Sequence, residues 1–168
     1  RLNEIMHFTR VGSRQIGDAL PVPDEAEFFE IGKRFAETFH TLIHPEHTER
    51  FLGNMSFRCE NGFPSFRQGD TIYVSRRNID KRLIGKDGFV AVKMPLNGEV
   101  EYYGEAKPSV DTPIQVMLYA IYFNVRYMIH SHVYVKDAPM TDKVIPCGAL
   151  DEVAEISEAW KNHSLANF

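Results

Sequence analysis

Cysteine is scarce in this chain: two in 168 residues, Cys59 and Cys147, far apart and without a partner pattern. That argues against a disulfide-stapled scaffold and makes a reducing compartment, the cytoplasm, the expected setting. Cys147 sits in Ile145-Pro146-Cys147-Gly148 with no second Cys or His at zinc-finger spacing, and reads as a packed or turn residue. Long apolar runs are missing too. None approaches the roughly 18 residues that a bilayer span needs, so no membrane passage is expected. Positive charge is not in excess: nineteen Lys+Arg stand against twenty-three Asp+Glu, a net charge of −4 with a pI near 6.0. Such a surface is not built to grip nucleic acid or anionic lipid. Arg1-Leu2-Asn3-Glu4 carries no signal pattern. Repeats and low-complexity tracts are absent. The chain opens without Met and stops at Phe168 on a half-finished apolar stretch, so a piece of a longer protein is expected.

What is present suits one globular domain: 43% apolar residues, 25% charged, and enough chain to bury a core. Residues 1–23 lack a clean period and end at Pro21 and Pro23, the reading being an N-terminal arm before a domain at 24–168. From Asp24, Phe28, Ile31, Phe35, Phe39 and Leu42 recur at helical spacing, with Asp24 as N-cap and Pro45 stopping the helix near His44. Core packing is the plain reading of that aromatic stripe. His40, His44 and His47 around Pro45 read as surface residues. The middle of the chain predicts an antiparallel meander through 55–58, 71–74, 89–92 and 100–103. Asn61-Gly62, Asp87-Gly88 and Asn97-Gly98 supply tight-turn chemistry between the strands. Thr112-Pro113 predicts a helix capped by Thr112 and running to about Phe123. A strand over 125–132 and a helix from about Asp151 to Trp160 follow, and Leu165–Phe168 is expected to open a further strand.

Three features can carry chemistry. His130-Ser131-His132 ends an apolar strand, and strand residues two apart face the same way, so both imidazoles come within reach of one metal ion. Zinc accepts such ligands; two half-exposed strand-end histidines are the plainer account. Asp111, in Pro108-Ser109-Val110-Asp111-Thr112-Pro113, enters the second helix, where capping would occupy a carboxylate by itself. Placed beside a metal, the same carboxylate could move a proton. Gly53-Asn54 and Ser75-Arg76-Arg77-Asn78 offer left-handed turns and guanidinium groups that suit an anion, against the bland alternative of hairpin turns and solvated charge.

Taken in order, Gly53-Asn54-Met55-Ser56-Phe57-Arg58, Lys107-Pro108-Ser109-Val110-Asp111-Thr112-Pro113 and Met128-Ile129-His130-Ser131-His132 resemble the class II aldolase/adducin family, over about residue 24 to Phe168. The resemblance implies a three-layer α/β/α domain around a mostly antiparallel sheet, and a cyclic homotetramer binding Zn2+ or a similar divalent ion. It assigns His130 and His132 as the first two metal ligands and Asp111 as the catalytic carboxylate. Gly53, Asn54, Arg77, Asn78 and Ser109 fall where members hold the substrate's phosphate. Val110 replaces a second serine of the phosphate loop, Gln115 stands where many members carry histidine, and aspartate at 111 is nearer the family's epimerase branch. The third ligand is expected just beyond Phe168, with His163 as the alternative. The implied activity is a metal-dependent aldolase cleaving a ketose phosphate or a similar hydroxy-carbonyl compound through a metal-stabilised enediolate. Sugar-phosphate 4-epimerisation, dehydration or decarboxylation on the same site is the alternative. A non-catalytic, adducin-like interaction domain is the competing class of reading, and retention of His130, His132 and Asp111 together argues against it.

Overall fold

Alternating apolar side chains drive the centre of the chain into strands. In the computed structural model, which describes residues 8–20, 25–42, 51–58, 72–93, 98–134 and 136–161, they form β2 (Asn54–Arg58), β3 (Ile72–Ser75), β4 (Phe89–Lys93) and β5 (Val100–Tyr103). These four pair antiparallel in succession, the meander the sequence predicts. Two outer strands complete a six-stranded sheet in the order β1-β5-β4-β3-β2-β6. At one edge β6 (Tyr127–His130) runs antiparallel to β2, and at the other β1 (Ser13–Gly17) runs parallel to β5. β1 belongs to the segment read as an arm. Its residues are almost all exposed, so no apolar alternation announces it; backbone pairing with β5 makes the strand.

Helices α1 (Glu25–Leu42) and α2 (Thr112–Ile121) pack on this sheet, and α3 (Asp151–Trp160) packs against α2. Strand side chains alternate between faces, and two cores result. Met55, Phe57, Tyr73 and Ala91 meet Ile31, Phe35 and Phe39 of α1. Ile72, Val74, Val90, Val92, Val100 and Tyr102 meet Val116 and Tyr119 of α2. The α1 stripe is therefore core, as its spacing predicts. Phe35 anchors it, its ring lying 6.5 Å from Phe57, 6.3 Å from Phe89 and 6.1 Å from Tyr127. Full burial of one such ring contributes about 1.5–3 kcal/mol.

Three local expectations change. Asp111, not Thr112, is the N-cap of α2, with Pro113 in the first turn. The Thr112 hydroxyl donates back to the Ser109 carbonyl at 2.7 Å instead of accepting a helix N–H. Asp87-Gly88 does not close a two-residue hairpin: it lies in a short 3-10 turn, Lys86–Gly88, at the end of a longer connection from β3 to β4. The strand expected over 125–132 is confined to Tyr127–His130, leaving His132 just past its end. His40 and Cys147 are exposed, the latter in a turn. Asp24, His44, Pro45, His47, Cys59, Asn61-Gly62, Thr71, Asn97, His163 and Leu165–Phe168 lie outside the described residues. Among the described residues no helix is long and apolar enough to cross a membrane.

Candidate active site

The face of the sheet under α2 is where the polar residues gather. Register decides this: Asn54 lies opposite His130, and Ser56 opposite Met128, in the β2–β6 pairing. Opposite residues of an antiparallel pair share a face, so His130 emerges beside Asn54. Side-chain hydrogen bonds fasten α2 over them. Asn54 Nδ2 donates to Asp111 Oδ2 at 2.9 Å. The Ser56 and Tyr119 hydroxyls lie 3.1 Å apart. The Arg58 guanidinium donates to the Tyr119 carbonyl at 2.8 Å, a cation at the helix C-terminal end. The first of these contacts draws Asp111 away from capping: it makes no side-chain cap bond to α2.

Asp111 thus turns its carboxylate to the sheet, with Oδ2 4.0 Å from His130 Nε2. The His130 and His132 rings lie 5.0 Å apart, edge to face, so the pair is together although His132 has left the strand. Three polar atoms here are buried without a hydrogen-bond partner among the described residues: Asp111 Oδ1, Gln115 Oε1 and His130 Nε2. Burial holds the His130 pKa below the ordinary imidazole value; Asp111 opposes this, while His132 and Lys81 reinforce it. Burial thus favours the uncharged imidazole, and its Nε2 is left without a hydrogen-bond partner among the described residues. A cleft of about 580 Å³ opens over these groups, with Asp111, Gln115, His130 and Glu152 among apolar neighbours such as Ile114, Leu118, Met128 and Trp160.

The residues expected to hold an anion lie in three loops that support one another. Gly53 takes φ 80° and sits so close to the strand that a Cβ would fall 2.5 Å from the His130 carbonyl oxygen. Asn78 takes φ 56°, and its Oδ1 accepts from the Phe51 N–H at 3.4 Å. The Arg77 N–H donates to the Lys107 carbonyl at 2.9 Å, and the Ser109 N–H to the Ser75 carbonyl at 3.2 Å. Ser109 Oγ accepts from the Asp111 N–H at 3.4 Å. Arg77 is exposed. Asn54, by contrast, is fully buried and uses both ends of its amide inside the protein, on Asp111 and Gln115.

Two residues with no signal in the sequence also belong here. Lys81, in Asp80-Lys81-Arg82, is 1% exposed and donates to the Phe51 carbonyl at 2.6 Å. Burial pulls its pKa down to about 8. Glu152 lies on the first turn of α3, and burial followed by the Asp111 charge raises its pKa. Gly148 brings it there: at φ 76° it packs on Val110, where a Cβ would lie 2.9 Å from the valine side chain. Neither placement follows from spacing along the chain.

Residues 33–138 match the family model described as the class II aldolase and adducin N-terminal domain. The chain belongs to the class II aldolase and adducin family. Among solved structures, an L-fuculose 1-phosphate aldolase is similar at 23% identity and a TM-score of 0.42, over 68% of this chain and 46% of that one. This chain thus spans less than half of that aldolase's length. No curated protein matches it.

Members of the class II aldolase family generally use a divalent metal ion. Two groups of this domain fit such an ion: the buried, unpartnered Nε2 of a neutral His130 and the adjacent imidazole of His132. Among the described residues no group of three or more His, Cys, Asp and Glu side chains gathers into a complete site.

Proposed function

We propose that this domain carries the proton-transfer and metal-holding groups of a class II aldolase-type lyase acting on a ketose phosphate or a similar hydroxy-carbonyl compound. The observation that carries the reading is the Asp111 carboxylate, pinned by Asn54 through Oδ2, which lies 4.0 Å from His130 Nε2, while Oδ1 has no hydrogen-bond partner among the described residues. His130 and His132 would hold the ion, which, when bound, supplies Lewis acidity at the substrate carbonyl. Asp111 Oδ1 takes the proton of the hydroxyl beyond the scissile bond. That C–C bond then breaks, its electron pair passes to the carbonyl-bearing fragment as an enediolate, and an aldehyde departs. The carboxylic acid returns its proton to the enediolate carbon, which leaves Asp111 ionised for the next turnover. Gly53, Arg77, Asn78 and Ser109 would hold the phosphate, and Asn54 holds Asp111 in line. In this reading the ion is zinc, the protein is a cytoplasmic homotetramer, and the α1 and α2 cores support a three-layer domain. Re-addition of the aldehyde with inverted stereochemistry turns the same steps into 4-epimerisation.

The test combines metal content with turnover. Mass spectrometry should find about one divalent ion per chain, lost in a His130→Ala, His132→Ala double variant. Asp111→Asn should keep the ion and lose roughly 10²–10⁴-fold in the rate of ketose-phosphate cleavage. Full turnover by Asp111→Asn would sink the mechanism even with the metal in place.

A further inference from the structure

A carboxylate can only accept hydrogen bonds. The Asn54 group facing Asp111 Oδ2 is therefore the amide NH₂, at 2.9 Å, and this decides which way the Asn54 side chain lies. Its Oδ1 must face α2, where the Gln115 NH₂ donates to it. Gln115 is thereby oriented in turn, and its carbonyl oxygen is the group left over. That oxygen is buried and has no partner among the described residues, in a residue that is 4% exposed and lines the cleft with Asp111 and His130. Asp111 Oδ1 is left over in the same way. Residues 111 and 115 are one helical turn apart, so the two oxygens belong to neighbouring side chains on one face. Native interiors rarely leave buried acceptors without a donor unless something else supplies it. Here two are left at the mouth of one chain of amides, each demanding an O–H or N–H from outside.

We propose that Gln115 is a specificity-determining residue: its Oε1 accepts a hydrogen bond from a substrate hydroxyl next to the hydroxyl whose proton Asp111 takes. The substrate class is narrowed to hydroxy-carbonyl compounds with O–H donors on two neighbouring carbons, one for each acceptor. This rests on the reading of Asp111 as the proton-moving carboxylate. Removing the neighbouring hydroxyl leaves the Gln115 oxygen buried and unpaired in the complex, and a site of that kind discriminates strongly against the deoxy compound.

The experiment compares the binding of erythrulose with that of 1,4-dihydroxybutan-2-one, which lacks only the 3-hydroxyl, by titration calorimetry. The wild type should bind erythrulose about tenfold tighter or better. Gln115→Met should bind the two alike. Gln115→His, whose ring can donate to Asn54 through one nitrogen and accept through the other, should keep the preference. Because Gln115→Met also cuts the amide chain, a variant-free measurement stands beside it. The 3-deoxy-3-fluoro analogue accepts but does not donate, so it should bind the wild type as poorly as the deoxy compound. A folded Gln115→Met that still prefers erythrulose, or a fluoro analogue that binds like erythrulose, overturns the role of Gln115 and leaves the reading of Asp111 intact. If the wild type binds none of the three, the cleft is not the substrate site and both readings fall.

Discussion

Lys81 offers a test of the site's electrostatics that needs no substrate. The residue is 1% exposed, and its ammonium donates to the Phe51 carbonyl at 2.6 Å and forms no ion pair among the described residues. The neighbouring Asp80 carboxylate is already engaged by Arg82, through Nε at 2.9 Å and Nη2 at 2.8 Å. Burial lowers the Lys81 pKa from 10.5 to about 8, with Asp80 only partly opposing it. At about 1.4 kcal/mol per unit, that gap corresponds to a ceiling of about 3 kcal/mol. In the unfolded chain the lysine keeps its proton up to about pH 10.5, whereas in the folded protein it gives it up near 8. Between those values the unfolded state binds more protons, so stability contributed by this residue rises with pH and is flat below about 8. Lys81→Met removes the titration. Urea unfolding followed at Trp160, the single tryptophan, should show wild-type stability gaining on Lys81→Met by up to about 3 kcal/mol between pH 7.5 and 10.5. A difference between the two proteins that stays constant across that range would show that the ammonium is not buried as described.

Gly53→Ala places a Cβ 2.5 Å from a backbone oxygen at φ 80°, so a loss of at least about 2 kcal/mol is expected; a denaturation midpoint equal to wild type would refute the close approach. His130 is held below its ordinary pKa by burial, so in chelator-treated protein stability should fall as pH drops below about 6.5, the unfolded imidazole binding its proton first. His130→Gln should flatten that acid limb, and an unchanged limb would assign it to other groups. Arg58→Leu removes donors to the Tyr119 and Phe123 carbonyls and should cost about 1–3 kcal/mol by chemical denaturation, whereas a neutral effect would mean that the guanidinium does not help to hold the end of α2.

Much of the fold is legible along the chain because its signals are local. The Ile31, Phe35 and Phe39 stripe, the apolar runs of β2 to β5 and the Thr112-Pro113 helix start each depend on a few consecutive residues, and each forms close to where the spacing puts it. His130 and His132 are recognisable as a pair for the same reason. The boundaries that move are those where a distant partner wins. Asp111, at the N-cap of α2, gives its carboxylate to Asn54, 57 positions away, instead of to a helix N–H, and β1 exists through pairing with β5 instead of through its own side chains.

Which groups face one another is settled only by register and packing. The antiparallel pairing of Asn54 with His130 brings residues far apart in the chain to one face, and a slip of one residue would turn His130 to the other side. The Asp111–Asn54–Gln115 chain of hydrogen bonds, the buried Lys81 under Phe51 and the approach of Glu152 to Asp111 through Gly148 all follow from that assembly. Sequence alone determined the central strands, the helices, the family and the candidates for the chemistry, because periodicity and motif spacing are short-range. Tertiary structure alone decided which carboxylate oxygen is free and which buried acceptors still need a donor, because those depend on contacts between segments that no local pattern connects.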